Sequence, residues 1–393
     1  MYYLNALGLV CPLGDSKTQV QQRMFRGDTG LLTTDCFSPG RPLALGRVTT
    51  SLPACDDWPV GFQSRNNQLA MQALLQIQAA VEAAKLRFGA HRIAVILGTS
   101  TSGIAEGERA IQHLIGQGTM PTHFHYAQQE MGSTARFVAS QLGVAGPCYV
   151  HSTACASAAK AMASAARLLA SGVVDAAITG GVDSLCAFTI AGFSALDSVS
   201  EGPCNPLSVN RKGINIGEAA ALFLMTREPA TVALSGWGES SDGYHMSAPE
   251  PNGAGARVAI ESALARANLT AAQIEYINLH GTATLQNDAM ESRITHSLFG
   301  GDVPVSSSKG MVGHTLGAAG AIEAAFCWLS MQDDNPTGFL PPHLWDGEPD
   351  PTLPTLHTVA VGEQLGHPPQ HVLSNSFAFG GANASLVFSR RAS

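Results

Sequence analysis

The chain has 393 residues, 45% hydrophobic and only 13% charged, with 41 glycines and a net charge of −8. That is material for a large buried core with little disorder, and the acidic balance, with no clustered basic face, argues against nucleic acid. The start, Met1-Tyr2-Tyr3-Leu4-Asn5, lacks the basic segment of a signal peptide, and the most apolar region, Ala154 to Gly181, is broken by Lys160, Arg167 and Asp175, so no membrane span is expected. The 8 cysteines include no CxxC pair, which reads as free thiols in a reducing cytoplasm. His123 and His125 lack further ligands at a metal-binding spacing, so no metal site is predicted.

Tyr2 to Val10 reads as a strand, followed by a turn and a helix capped by Ser16 that runs to about Arg26. Gly27 to Asp57 is loop. Asn66 to about Phe88 predicts one long helix with Leu69, Ala73, Ile77, Ala80 and Ala84 on one face. Ile93 to Leu97 is a short strand buried on both faces; it empties into a polar turn, Gly98 to Gly103, where a ligand could approach the backbone. Met131 to Leu142 predicts a helix. The strand Cys148-Tyr149-Val150 then turns sharply, at Cys155, into an Ala-rich helix from Ala156 to about Ser171, stopped by Gly172. Val174 to Gly181 is another buried strand, Leu207 to Glu218 a polar loop, and Ala219 to Thr226 a strand.

Around Arg227 to Ala230 the pattern restarts. Strands at 231–237, 274–279 and 303–306 alternate with helices at 255–267 and 287–299. A second Ala/Gly-rich helix runs from Leu316 to about Met331, and strands at 371–376 and 384–389 are joined by Phe377 to Asn383. Alternation of this kind predicts an α/β fold. One buried Ala-rich helix in each half predicts an internal duplication, residues 1–228 and 229–393, with two sheets packed around the two central helices.

Cys155, at a strand-to-helix junction, faces unpaired backbone N–H groups and the positive end of a helix, which favour the nucleophilic thiolate. Three further loops carry chemistry: Asn278 to Thr284 with His280, Lys309 to His314 with Glu323 on the following helix, and the turn Phe379-Gly380-Gly381. His280 and His314 sit in Gly/Thr-rich turns after buried strands, unlike His151 and His245, which read as structural. Lys309, between a buried strand and a buried helix, predicts a paired internal cation with Glu323 as its partner.

These residues resemble the β-ketoacyl-[acyl-carrier-protein] synthases, the elongating condensing enzymes (ketosynthases) of the thiolase fold, over nearly the full length. The motifs are Gly8-Leu9-Val10-Cys11-Pro12-Leu13-Gly14, Thr153 to Ser157, His280-Gly281-Thr282, Lys309 to Gly320 and Asn375 to Asn383. The resemblance implies a five-layer αβαβα fold of two duplicated halves, a dimer, and an acyltransferase with a Cys155-His280-His314 triad. The expected reaction is decarboxylative Claisen condensation of malonyl-carrier protein with an acyl group on Cys155, extending a fatty acid or polyketide chain by two carbons. Lys309 and Glu323 match the family's supporting ion pair. The N–H groups of Cys155 and Phe379 match its oxyanion hole, and Phe377, Phe379 and Gly380 its gate. No cofactor is implied, since substrates ride on the phosphopantetheine of an acyl carrier protein.

Several positions depart from the family pattern. Ala378 stands where glycine is usual. Asn205-Pro206-Leu207-Ser208 replaces Arg-Pro-Phe/Trp-Asp, and the basic docking helix reads Asn66-Asn67-Gln68-Leu69. Arg65, Arg211 and Lys212 remain as carrier-docking candidates, and Thr101 falls where relatives line the acyl pocket. Together these point to an aryl polyene-type ketosynthase beside a chain-length-factor subunit, as homodimer or heterodimer. A thiolase would need a second cysteine in the Phe377 to Asn383 loop, and a silent chain-length factor would lack the nucleophile.

Overall fold

The computed structural model describes residues 1–391. Its strands are β1 (Tyr2–Val10), β2 (Leu31–Thr34), β3 (Leu43–Gly46), β4 (Ile93–Gly98), β5 (Cys148–His151), β6 (Ala176–Asp183) and β7 (Ala219–Thr226) in the first half. The second half holds β8 (Val232–Ser241), β9 (Tyr276–Asn278), β10 (Pro304–Ser306), β11 (His357–Thr358), β12 (His371–Phe377) and β13 (Ala382–Arg390). The duplication is explicit in the pairing. The first half runs in the order β1-β7-β6-β4-β5 and the second in the order β8-β13-β12-β9-β10. In each, the first three strands pair antiparallel and the rest parallel. The halves join where β1 meets β8 through Tyr2↔Leu234 and Tyr3↔Ala233.

The strands β4 and β7, apolar but for the terminal Thr226, are buried on both faces, as strands covered by helices on each side must be. The helices Ser157–Ala170 and Ala319–Ser330 touch each other and strands of both halves, while Arg65–Leu75 covers β1 and β7 and Ala254–Ala267 covers β8 and β13. The layers are therefore helix, sheet, helices, sheet, helix: the αβαβα arrangement of the thiolase fold. Small residues at many of the buried positions of the two central helices let sheets pack on them from both sides.

The expected helix over 66–88 is two helices, Arg65–Leu75 and Gln78–Phe88. The Gln76 side chain causes the break. Its amide donates to Leu9 O (2.8 Å) and Asp15 O (3.1 Å) and accepts from Leu9 N (3.3 Å), drawing the helix end onto β1. Two helices, Ile104–Gln117 and Ala187–Ala195, were not legible in the hydrophobic pattern. The first buries Ala105, Glu106, Gly107 and Ala110 and turns Ile115 outward, 81% exposed; the second leaves Phe188 66% exposed. No helix among the described residues is long and apolar enough to cross a membrane.

Close approach of the nucleophile helix to β4 depends on Gly98, where an added Cβ would lie 2.3 Å from Ala158 N. Gly172, with φ +70° and open space around it, ends the same helix for backbone reasons alone. Gly98→Ala should cost about 3 kcal/mol through overpacking, and Gly172→Ala only about 1–2 kcal/mol. Urea denaturation of the two variants checks the order; equal losses would contradict it.

Candidate active site

After β5 the chain folds into a knot before its helix begins. Ala154 takes a left-handed backbone, φ +49°, a strained choice for a residue with a Cβ. Ser157 Oγ accepts from Thr153 N (2.8 Å) and donates to Ala154 O (2.6 Å). Cys155 projects from this knot into the interior, 4% exposed. Burial pushes its thiol up to about 12, and the Lys309 charge and the backbone N–H groups of Phe379 and Cys155 only partly offset that. The neighbouring groups that favour the thiolate are present, but desolvation of the charged form outweighs them.

His314 Nε2 lies 2.9 Å from Cys155 Sγ. The His280 ring stands nearly perpendicular to that of His314, at 83° and 5.3 Å between centroids, with Phe377 on another side at 6.3 Å. Burial and the Lys309 charge hold both imidazoles well below their ordinary pKa, so they are neutral at physiological pH. Neither Nδ1 has a hydrogen-bond partner among the described residues. Lys309 Nζ meets Glu323 Oε1 at 2.6 Å, both side chains essentially buried. Among the described residues, Cys155, His280 and His314 are also the group of three ligand-type side chains close enough to hold a metal ion, their atoms lying within 4.8 Å of one another.

Backbone anchors fix both histidines. Glu291, on the helix Leu285–Phe299, accepts from His280 N and Gly281 N, each at 2.7 Å. His314 N donates to Asn215 O (2.6 Å), and Gly217 N donates to His314 O (2.9 Å). Glu291 was missed in the sequence. Its only signal is an acid on an otherwise buried face, with Asn287 one turn before it. The cleft above Cys155 is lined by Phe193, Thr282, Thr284, Phe377 and Phe379. Phe379 rests on Phe193, 5.6 Å between centroids, and Gly380 N donates to Met246 O (2.8 Å). Ala378 has φ −91° and ψ 154°, extended backbone open to any residue, so the departure from glycine creates no strain.

Other expected residues lie elsewhere. Thr101 is fully buried and off the cleft; its hydroxyl donates to Asp183 (2.9 Å) and accepts from Ser184 N (3.1 Å). Asp183 also takes Thr99 Oγ1, Ser100 N and Gly317 N, so the polar turn after β4 is filled by a carboxylate rather than open to a ligand. Arg65 is engaged with Glu218 (2.5 and 2.8 Å) and Arg211, 4% exposed, with Asp350 (2.6 Å). The Arg211 guanidinium is internal and that of Arg65 is half-buried and held by Glu218, which leaves Lys212 as the exposed cation of the three docking candidates.

Residues 6–230 match the β-ketoacyl synthase N-terminal domain and residues 231–344 its C-terminal domain. A 3-oxoacyl-[acyl-carrier-protein] synthase 2 of Staphylococcus aureus is 31% identical over 98% of this chain and 100% of its own. The structure of the ketosynthase ApeO, solved in complex with its chain length factor ApeC from Xenorhabdus doucetiae, is 43% identical, with a TM-score of 0.93 over 99% of this chain and 98% of that one. A β-ketoacyl synthase of Burkholderia phymatum is 28% identical at a TM-score of 0.85, covering 100% and 99%.

Two outcomes test the site. Iodoacetamide alkylation of Cys155 should rise about tenfold per pH unit between pH 7 and 9, because only the thiolate reacts; a plateau near neutrality would show a resting thiolate. Glu291→Gln leaves one backbone donor facing an NH₂ group and should cost about 1–3 kcal/mol in urea denaturation. Burial raises Glu291 from 4.5 to about 7, so the folded state holds that proton more tightly. Its contribution to stability is complete below pH 4.5 and lost as pH rises through 7. The variant should lack that slope.

Proposed function

This chain belongs to the β-ketoacyl synthase family, and on that footing we propose that Cys155, His280 and His314 carry out a decarboxylative condensation fed by acyl carrier proteins. The observation that carries the assignment is the 2.9 Å approach of buried His314 Nε2 to buried Cys155 Sγ, with a second neutral imidazole edge-on to the first. In loading, one thiol replaces another. Cys155 sulfur attacks the thioester of an acyl-carrier protein, the phosphopantetheine sulfur leaves, and the Cys155 proton departs with it. The developing thiolate is met by the nearby Lys309 charge and the backbone N–H groups of Phe379 and Cys155.

In the second half-reaction a malonyl-carrier protein enters past Thr282 and Thr284. Its C–C bond to the carboxylate breaks, CO₂ leaves, and the electron pair moves onto the thioester oxygen. His280 and His314, as neutral donors, stabilise that charge; one such donor is worth about 3–4 kcal/mol of barrier. The enolate carbon attacks the acyl-Cys155 carbonyl, whose oxyanion faces the N–H groups of Cys155 and Phe379. Collapse expels the cysteine sulfur, which regains a proton from solvent, and a β-ketoacyl chain two carbons longer remains on the carrier. The Phe377-Ala378-Phe379-Gly380 segment gates the cleft, and Lys212 is the cation left to meet an acidic carrier protein.

The identity of 43% to a ketosynthase solved with its chain length factor supports a paired subunit, and the departures from the family pattern at 66–69, 101, 205–208 and 378 are the ground for reading a specialised, polyene-type pathway. In the cell we assign it to the cytoplasm, where carrier-bound substrates circulate. The thiolase reading lacks a second cysteine at the cleft, since Cys327 lies in the core of its helix, 0% exposed. A silent subunit would lack Cys155.

His314→Ala should retain acyl loading of Cys155, seen as a mass gain on the intact protein, while slowing malonyl decarboxylation about 100-fold. Loss of loading with decarboxylation preserved would reverse the assignment. Cys155→Ala should show no mass gain with any acyl-carrier protein.

A further inference from the structure

Past the second central helix, Leu340-Pro341-Pro342 leads into a buried histidine, His343, whose N–H donates to Val359 O (2.8 Å). The two prolines fix the path of the chain into it. Both ring nitrogens are engaged with backbone. Ser307 N donates to Nδ1 (3.0 Å), and Nε2 lies 2.9 Å from Pro206 O. An amide N–H only donates and a carbonyl only accepts, so Nδ1 is bare and Nε2 carries the proton. A second proton would set Nδ1–H against the Ser307 N–H. Burial keeps the ring neutral by lowering its pKa from 6.5 to about 4, and Trp345 packs edge-on against it, 5.4 Å between centroids.

Ser307 passes this order on. Its hydroxyl donates to Gly281 O (2.7 Å) and accepts from Lys309 N (3.3 Å). The contact with Gly281 is close: its φ is +43°, and an added Cβ would lie 2.6 Å from Ser307 Cβ. The residue before Gly281 is His280. Glu291 holds this turn by its two N–H groups, and Ser307 holds it by its carbonyl, so the turn is gripped from both sides. Further along, Ala283 N donates to Asp288 (3.1 Å), whose other oxygen accepts from Leu207 N (2.8 Å). The departing loop Asn205 to Ser208 is thus tied to the His280 turn twice, once through Asp288 and once through His343 and Ser307.

We propose that His343 is a positioning residue for the condensation: acting through Ser307, it locks the Gly281 carbonyl and so fixes where the His280 imidazole meets the thioester oxygen of the malonyl substrate. His343 itself does not line the cleft. Lys309 is held separately by Glu323, so the effect falls on His280 and spares the loading step. This rests on the donor role given to His280 above. A histidine that merely filled space would be replaced equally well by either amide side chain.

The test uses that difference. His343→Asn places an acceptor oxygen where Nδ1 sits and keeps the Ser307 bond. His343→Gln places an amide where Nε2 sits and keeps only the Pro206 bond. Each full-length variant is given an acyl-carrier protein, and loading of Cys155 is read as a mass gain. Each is then given malonyl-carrier protein, and conversion of malonyl to acetyl on the carrier is read as a mass loss. His343→Asn should decarboxylate within about threefold of wild type and His343→Gln about tenfold or more slowly, through kcat rather than KM, with loading unchanged in both. Ser307→Ala should slow decarboxylation as His343→Gln does, and the double variant should be no slower than Ser307→Ala alone. Equal rates for the two His343 variants, additive losses in the double variant, or loading lost together with decarboxylation would overturn the proposal. His280→Ala is run beside them: decarboxylation that survives it would overturn the donor role and this inference with it, whereas its loss there, with both His343 variants at the wild-type rate, would overturn the positioning role alone.

Discussion

A buried ammonium organises the proposed reaction centre. Lys309, 1% exposed, is matched by one carboxylate, Glu323, at 2.6 Å. Removing either partner would strand the other charge in the interior, which is strongly destabilising. The ammonium acts on everything around it: it helps keep His280 and His314 neutral and eases the thiol of Cys155 toward ionisation. Neutral imidazoles can donate to an oxygen that becomes anionic without first being anchored to a counter-charge, which is the condition decarboxylation needs.

The duplication explains why the centre lies where it does. Cys155 belongs to the first half, and His280, His314 and the ion pair to the second. Equivalent central helices, Ser157–Ala170 and Ala319–Ser330, bring their preceding loops to one point because they pack against each other between the sheets. Catalytic groups at strand ends, held by rigid elements, are what α/β folds provide. Here two copies of that device face each other, one carrying Cys155 and the other the two histidines.

Much of this was legible in the chain. Strand-to-helix alternation, two Ala-rich helices and the turns around Cys155, His280 and His314 are local signals, and they survive folding because the core repeats them. What escaped was set by tertiary contacts. Gln76 breaks a helix whose periodicity is continuous, because its amide finds the backbone of β1. Arg65 and Arg211 look like surface cations until Glu218 and Asp350, distant in sequence, reach them. Thr101 is drawn away from the cleft by Asp183, 82 residues later. The thiol's raised pKa is a property of burial, which a helix-end motif does not report.

Asp183 also bears on how the molecule holds together. Its carboxylate gathers Thr99, Ser100 and Thr101 from the first half and Gly317 N from the start of the second central helix. The sheet itself is continuous between the halves through only Tyr2↔Leu234 and Tyr3↔Ala233. The seam is therefore closed by a polar suture and by helix-on-helix packing rather than by strand ladders. Each central helix is buried in part by strands of the other half, so opening one repeat would expose the interior of the other, and Cys155 would part from His280 and His314 in the same event.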